Sequence, residues 1–216
     1  MEHTEAEYKA LLSRAFPEPI MKALLRGVVD GYSATPSACK RALDKPDRHD
    51  GFGTIRRGKV NELVRGVCDR HELRYKDEPN SAGSTYFLSV FSGRIRLCAQ
   101  LLSLRSSRIP NAEIRKMWAA HNRDGRNGEL FDTGEPSVPL DAVYCAFLVH
   151  SPRRNRRDQP AFVDIVIPDK SLKRFILTVN LYQLFPEVAL EVGNAQEPKR
   201  AQPKPRKLTR RKDEGA

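Results

Sequence analysis

Residues 85–91 and 94–102 are two runs rich in β-branched and aromatic side chains with only Ser92-Gly93 between them, and so short a gap demands an antiparallel hairpin. A two-residue turn fixes the register: Phe91 faces Arg94, Val90 faces Ile95, Ser89 faces Arg96, Leu88 faces Leu97 and Phe87 faces Cys98. Because side chains alternate along a strand, Tyr86, Leu88, Val90, Ile95, Leu97 and Ala99 form an apolar face bound for a core. Phe87, Phe91, Arg94 and Arg96 then share the opposite face. Rings interleaved with arginines suit single-stranded nucleic acid, where rings stack bases and guanidinium groups hold phosphates. The same four side chains would equally suit a covering helix, with the arginines paired to acids.

Two further strands, 142–150 and 161–167, flank the loop 151–160 and predict a second antiparallel hairpin. The first of them is apolar on both faces and is expected at the centre of the sheet. Residues 175–185 read as a strand passing into a helical turn. Between the hairpins a helix is expected at 112–121, capped by Asn111 and burying Ile114, Met117 and Trp118.

Ahead of the sheet, apolar spacing predicts a helix at 4–16 with Tyr8, Leu11, Leu12 and Ala15 inward, and a second from Pro17 or Pro19 to Gly31. A short third helix runs from Thr35 or Ser37 to Leu43. A fourth spans 55–71, with Val60, Leu63, Val64 and Val67 on its buried face and Arg56, Arg57, Lys59 and Arg65 off it. Residues 44–53 read as a polar loop and 77–84 as a turn-rich seam. The fold class expected is α+β: a helical segment over 1–50, then a core domain over 51–191 with a mainly antiparallel sheet of four or five strands and an inserted helix. Beyond Glu191 apolar side chains become sparse, so 192–216 is expected to be a disordered cationic tail.

Charge speaks of partners rather than of fold. The chain has 38 basic and 27 acidic side chains, a formal net charge of +11, and 25 of the cations are Arg, whose planar fork matches phosphate. DNA or RNA is favoured over a membrane surface. Between 196 and 216, Lys199, Arg200, Lys204, Arg206, Lys207, Arg210, Arg211 and Lys212 face only Glu197, Asp213 and Glu214, a net +5 that can spread over phosphates and release counterions. The loop between the last two strands holds Arg153, Arg154, Arg156 and Arg157 against Asp158 alone, and four guanidinium groups there repel one another unless an anion joins them.

Catalytic patterns are weaker. The run from Gly53 to Lys59 matches the first seven positions of a phosphate-binding loop, but Val60 stands where a magnesium-binding hydroxyl is needed. What remains of that match is Arg56 and Arg57 at a helix N-terminus, within reach of a phosphate. Cys68 with His71, and Cys145 with His150, lack the paired knuckles of zinc sites, so no metal and no cofactor is expected. A metal-dependent nuclease would need clustered carboxylates, for which the candidates are Asp164, Asp169 and Glu62. Four scattered cysteines, no run approaching roughly 18 apolar residues and a polar, acidic start fit a reduced, cytoplasmic protein without a membrane span. The sum is a non-catalytic nucleic-acid-binding protein using its tail and Arg-rich loop. The alternatives are the nuclease, or a subunit that binds a protein partner and whose charge only solubilises it.

Overall fold

The computed structural model describes residues 3–79, 86–102, 108–110, 113–120, 122 and 144–191. Helix α1 (His3–Ala15) turns Tyr8, Leu12 and Ala15 inward at helical spacing. Pro17 precedes α2 (Glu18–Ala42), whose first turn holds Pro19, a place where a missing N–H goes unused. Contrary to expectation, α2 neither ends at Gly31 nor restarts near Thr35; it runs unbroken through Pro36. Burial outweighs the local break, since Tyr32, Thr35, Ala38 and Cys39 all lie inside.

Helix α3 (Arg48–Arg70) likewise begins within the segment expected to be a polar loop, and the expected 50/51 seam falls in its first turn. The chain reverses over residues 43–47, and Arg48 donates from Nε to Leu43 O (3.1 Å) and from Nη2 to Lys40 O (3.4 Å), occupying carbonyls that the end of α2 leaves open. The two helices run antiparallel in close contact. A Cβ on Gly31 would lie 2.9 Å from Val60 Cα, so glycine there is what lets the backbones approach.

The sheet has six strands in chain order: β1 (Arg74–Pro79), β2 (Tyr86–Ser92), β3 (Ile95–Leu101), β4 (Tyr144–Pro152), β5 (Pro160–Pro168) and β6 (Phe175–Asn180). Every neighbouring pair is antiparallel except β3 and β4, whose long connection carries α4 (Glu113–Ala119). The extra strand is β1, which takes up part of the expected turn-rich seam. Its charged sequence carries no strand pattern; the ladder to β2 holds it at the sheet edge.

The first hairpin turns at Gly93-Arg94, one residue later than expected, and pairs Ser92 with Ile95, Phe91 with Arg96, Val90 with Leu97 and Ser89 with Cys98. Gly93 takes φ +52 at the first central position, as a type II′ turn requires. Because the register moves by two residues, each strand keeps its faces, and Leu88, Val90, Ile95 and Leu97 are buried as expected. Tyr86 is exposed instead.

The sheet is covered on both sides. Helices α1 to α3 pack over Val90, Ile95, Leu97, Leu148, Val163 and Ile165, while Trp118 of α4 packs with Cys98, Cys145, Phe147 and Val166 on the other face. Strand β4 is buried on both faces, as its sequence predicts. In α4 Ile114 and Trp118 stand four apart and turn to the sheet, which leaves Met117, expected inside, exposed. Two short helices, α5 (Leu181–Leu184) and α6 (Pro186–Glu191), close the described chain, α5 capped by Asn180. Among the described residues no helix is long and apolar enough to cross a membrane. The expected tail, with Lys199, Arg200, Lys204, Arg206, Lys207, Arg210, Arg211 and Lys212, lies outside the described residues.

Candidate nucleic-acid interface

The candidate residues fall into two groups on opposite faces of the sheet. The first gathers where β4 and β5 turn. Arg153 N donates to Gln159 O (2.9 Å) and Gln159 N to Arg156 O (3.0 Å), which closes the loop and turns Arg154, Arg156 and Arg157 outward, while Arg153 is half-buried. Arg156 reaches Asp158 at 3.7 Å, and both side chains are well solvated.

Arg56 feels the charge of Arg157 in this loop. It was expected at a helix N-terminus and off the apolar face, but α3 begins at Arg48, which puts Arg56 in the third turn, on the stripe of Val60, Val64 and Val67. It is 6% exposed, with its guanidinium carbon 5.0 Å from the centre of the Tyr32 ring and 5.6 Å from that of Phe52. Its Nε and Nη1 are buried and have no hydrogen-bond partner among the described residues. Burial lowers its pKa, opposed by Tyr32 and aided to a lesser degree by the charge of Arg157. Arg57, next in sequence, is exposed.

Beside Arg56 lies a buried pair. Tyr32 Oη is 2.9 Å from His150 Nδ1, and the rings meet edge to face. Burial, reinforced by Arg56, brings the His150 pKa down to about 3, so its imidazole is neutral at ordinary pH. Burial also raises the pKa of the Tyr32 hydroxyl, which keeps its proton.

The second group is on the α4 side. Arg96 lies 4.9 Å from the centre of the Phe91 ring and 5.1 Å from that of Trp118, and its Nη2 is 3.4 Å from Glu78 Oε1. Ser89 Oγ donates to Glu78 Oε2 (2.5 Å). Phe87 meets Trp118 edge to face at 5.7 Å and carries Arg115 at 5.3 Å. Arg94, expected beside these residues, sits in the turn over the Tyr144 ring. The rings in this group are therefore engaged with cations and with one another.

The carboxylates considered for a nuclease do not meet. Glu62 binds Lys59 (2.6 Å) on α3. Asp164 alternates with Val163 and Ile165, which places it on the α4 side of the sheet. Asp169 organises the β5–β6 turn: burial would raise its pKa, but bonds from Ser171 Oγ and the backbone N–H of Lys173 and Arg174 hold it below the usual carboxylate range. Cys145 and His150, five apart on one strand, point to opposite faces. Among the described residues no three His, Cys, Asp or Glu side chains gather as metal ligands would.

Sequence reasoning passed over Tyr32, Glu78 and Arg115, and weighed His150 only as a zinc ligand. The clearest missed signal was Arg56 itself, four and eight residues before Val60 and Val64 and thus on their face. No family model, no curated protein and no solved structure matches this chain.

Proposed function

We propose that this protein binds DNA or RNA without cleaving it, through phosphates, at the face formed by the β4–β5 loop and the neighbouring turns of α3. Arg154, Arg156 and Arg157 contact the backbone, Arg153 and Arg57 flank them, and the cationic residues between 196 and 216 add sequence-indifferent attraction. The supporting observation is Arg56: a buried guanidinium with no acid partner among the described residues, within the field of the loop's Arg157, is a positive region that an anion would complete. A cytoplasmic location accords with four buried cysteines, none of them in a disulfide.

Fluorescence anisotropy with labelled single strands and duplexes tests the proposal. At low salt the triple variant Arg154→Glu, Arg156→Glu, Arg157→Glu should bind at least about tenfold more weakly. Each arginine–phosphate pairing it removes should flatten the plot of log affinity against log salt by about one. Deleting residues 196–216 should flatten it further while leaving the loop's share intact. If the full chain shows no salt-sensitive binding to any polynucleotide, the proposal is wrong.

A further inference from the structure

We infer that Arg56, together with Arg157, receives the terminal phosphate of a nucleic-acid strand, so that the protein recognises a phosphorylated end; this rests on the nucleic-acid function proposed above.

Arg56 is more than nine-tenths buried, yet two of its donor nitrogens are unused. A cation held away from water is costly unless a negative charge joins it, and the described residues around it supply none. Tyr32 and Phe52 offer ring faces, His150 is neutral and bonded to Tyr32, and Arg157 adds a second positive charge. Rings satisfy the guanidinium's faces; its edge, where the N–H groups point, is what fits an oxyanion.

Geometry narrows the oxyanion. An internal phosphodiester carries a sugar on each side, so it lies along a surface and meets exposed side chains such as Arg154 and Arg156. A guanidinium more than nine-tenths buried is reached by a group tethered on one side only. A terminal phosphate meets that condition, with three free oxygens and a charge of about −1.5 to −2 at neutral pH, against −1 for a diester. Free phosphate shares this chemistry, so the test separates the two sources.

One oligonucleotide sequence is prepared with a 5′-phosphate, with a 3′-phosphate, or with hydroxyls at both ends, and its affinity for the full chain is measured at fixed salt. A phosphate at one end should tighten binding on the order of tenfold, the worth of one charge-assisted hydrogen bond. Arg56→Met, which keeps the packing volume, should abolish the preference. Should that variant fail to fold, Arg56→Lys and Arg157→Ala replace it, and each should reduce the preference. Inorganic phosphate alone should raise the Tm of the wild type and not of Arg56→Met. Affinities within about twofold for all three ends, or a preference that survives Arg56→Met, overturn the inference while the proposed function stands. No binding to any oligonucleotide removes both.

Discussion

Arg56 and Arg96 are both drawn from water, both lie over two aromatic rings, and both have an unbonded Nε, yet they differ in one respect that matters. Arg96 has Glu78, and Glu78 is further fixed by Ser89; Arg56 has no carboxylate beside it among the described residues. The charge of the first is balanced within the fold, so Arg96 pins β1 and β3 to the helix above them. The charge of the second is left over. The same side chain is thus paired on one face of the sheet and unpaired among the described residues on the other, and the aromatic–arginine pattern alone does not distinguish them.

The strongest way to break this contrast is to strip the α4 face. Trp118 is 4% exposed and touches both Phe87 and Arg96, so Trp118→Ala should destabilise the fold by about 3–5 kcal/mol in urea denaturation. Nucleic-acid affinity of the folded variant should stay within about twofold of wild type. A large loss of affinity would mean that the covered face is itself the binding surface, and the division between the two faces would fail.

A smaller effect sharpens the other side. The His150 pKa is about 3 in the folded chain against an ordinary 6.5, so below pH 6.5 the unfolded chain takes up the proton first. The corresponding stability is complete above pH 6.5 and is lost progressively as pH falls toward 3, amounting to about 2–3 kcal/mol by pH 4.5. His150→Gln should remove that slope, read from denaturation curves between pH 7 and 4.5. Asp169 and Glu187, whose pKa values are lowered, lose their contributions only at more acid pH. An unchanged slope in His150→Gln would show that the Tyr32–His150–Arg56 cluster is wetter than its burial implies.

How much of this was legible beforehand depends on the kind of information each element needs. The hairpin's faces could be read although its turn was misplaced, because Gly93 serves a type II′ turn as its first central residue as readily as a type I′ turn as its second, and the resulting two-residue slip preserves alternation. β4 declared itself by being apolar on both faces. β1 did not, since Arg74, Lys76, Asp77 and Glu78 are strand only by virtue of the neighbour they pair with. Pro36 and the residues around Gly51 carry strong local signals against helix that packing overrides, and packing is not written in a window of ten residues. At the candidate site, the loop arginines were visible as a charge cluster and Arg56 was singled out for a position it does not occupy. Its partners Tyr32 and His150, 118 residues apart, meet only through the fold.

The finest test sets the two arginines against each other directly. Arg96→Met removes the partner of a carboxylate that is itself mostly withdrawn from solvent, with side-chain exposures of 19% and 18%, and should cost about 1–3 kcal/mol. Arg56→Met removes a charge that no described carboxylate balances; the cation–π attraction forgone, about 1 kcal/mol, is offset by relief of desolvation, so stability should change by less than about 0.5 kcal/mol or rise. Both are measured by urea denaturation in a buffer without phosphate or sulfate, where no added oxyanion masks the difference. Equal losses in the two variants would make Arg56 a structural pin like Arg96 and leave the β4–β5 loop as an exposed basic surface on its own. A loss confined to Arg96→Met would instead mark Arg56 as charge that the fold carries for something outside itself.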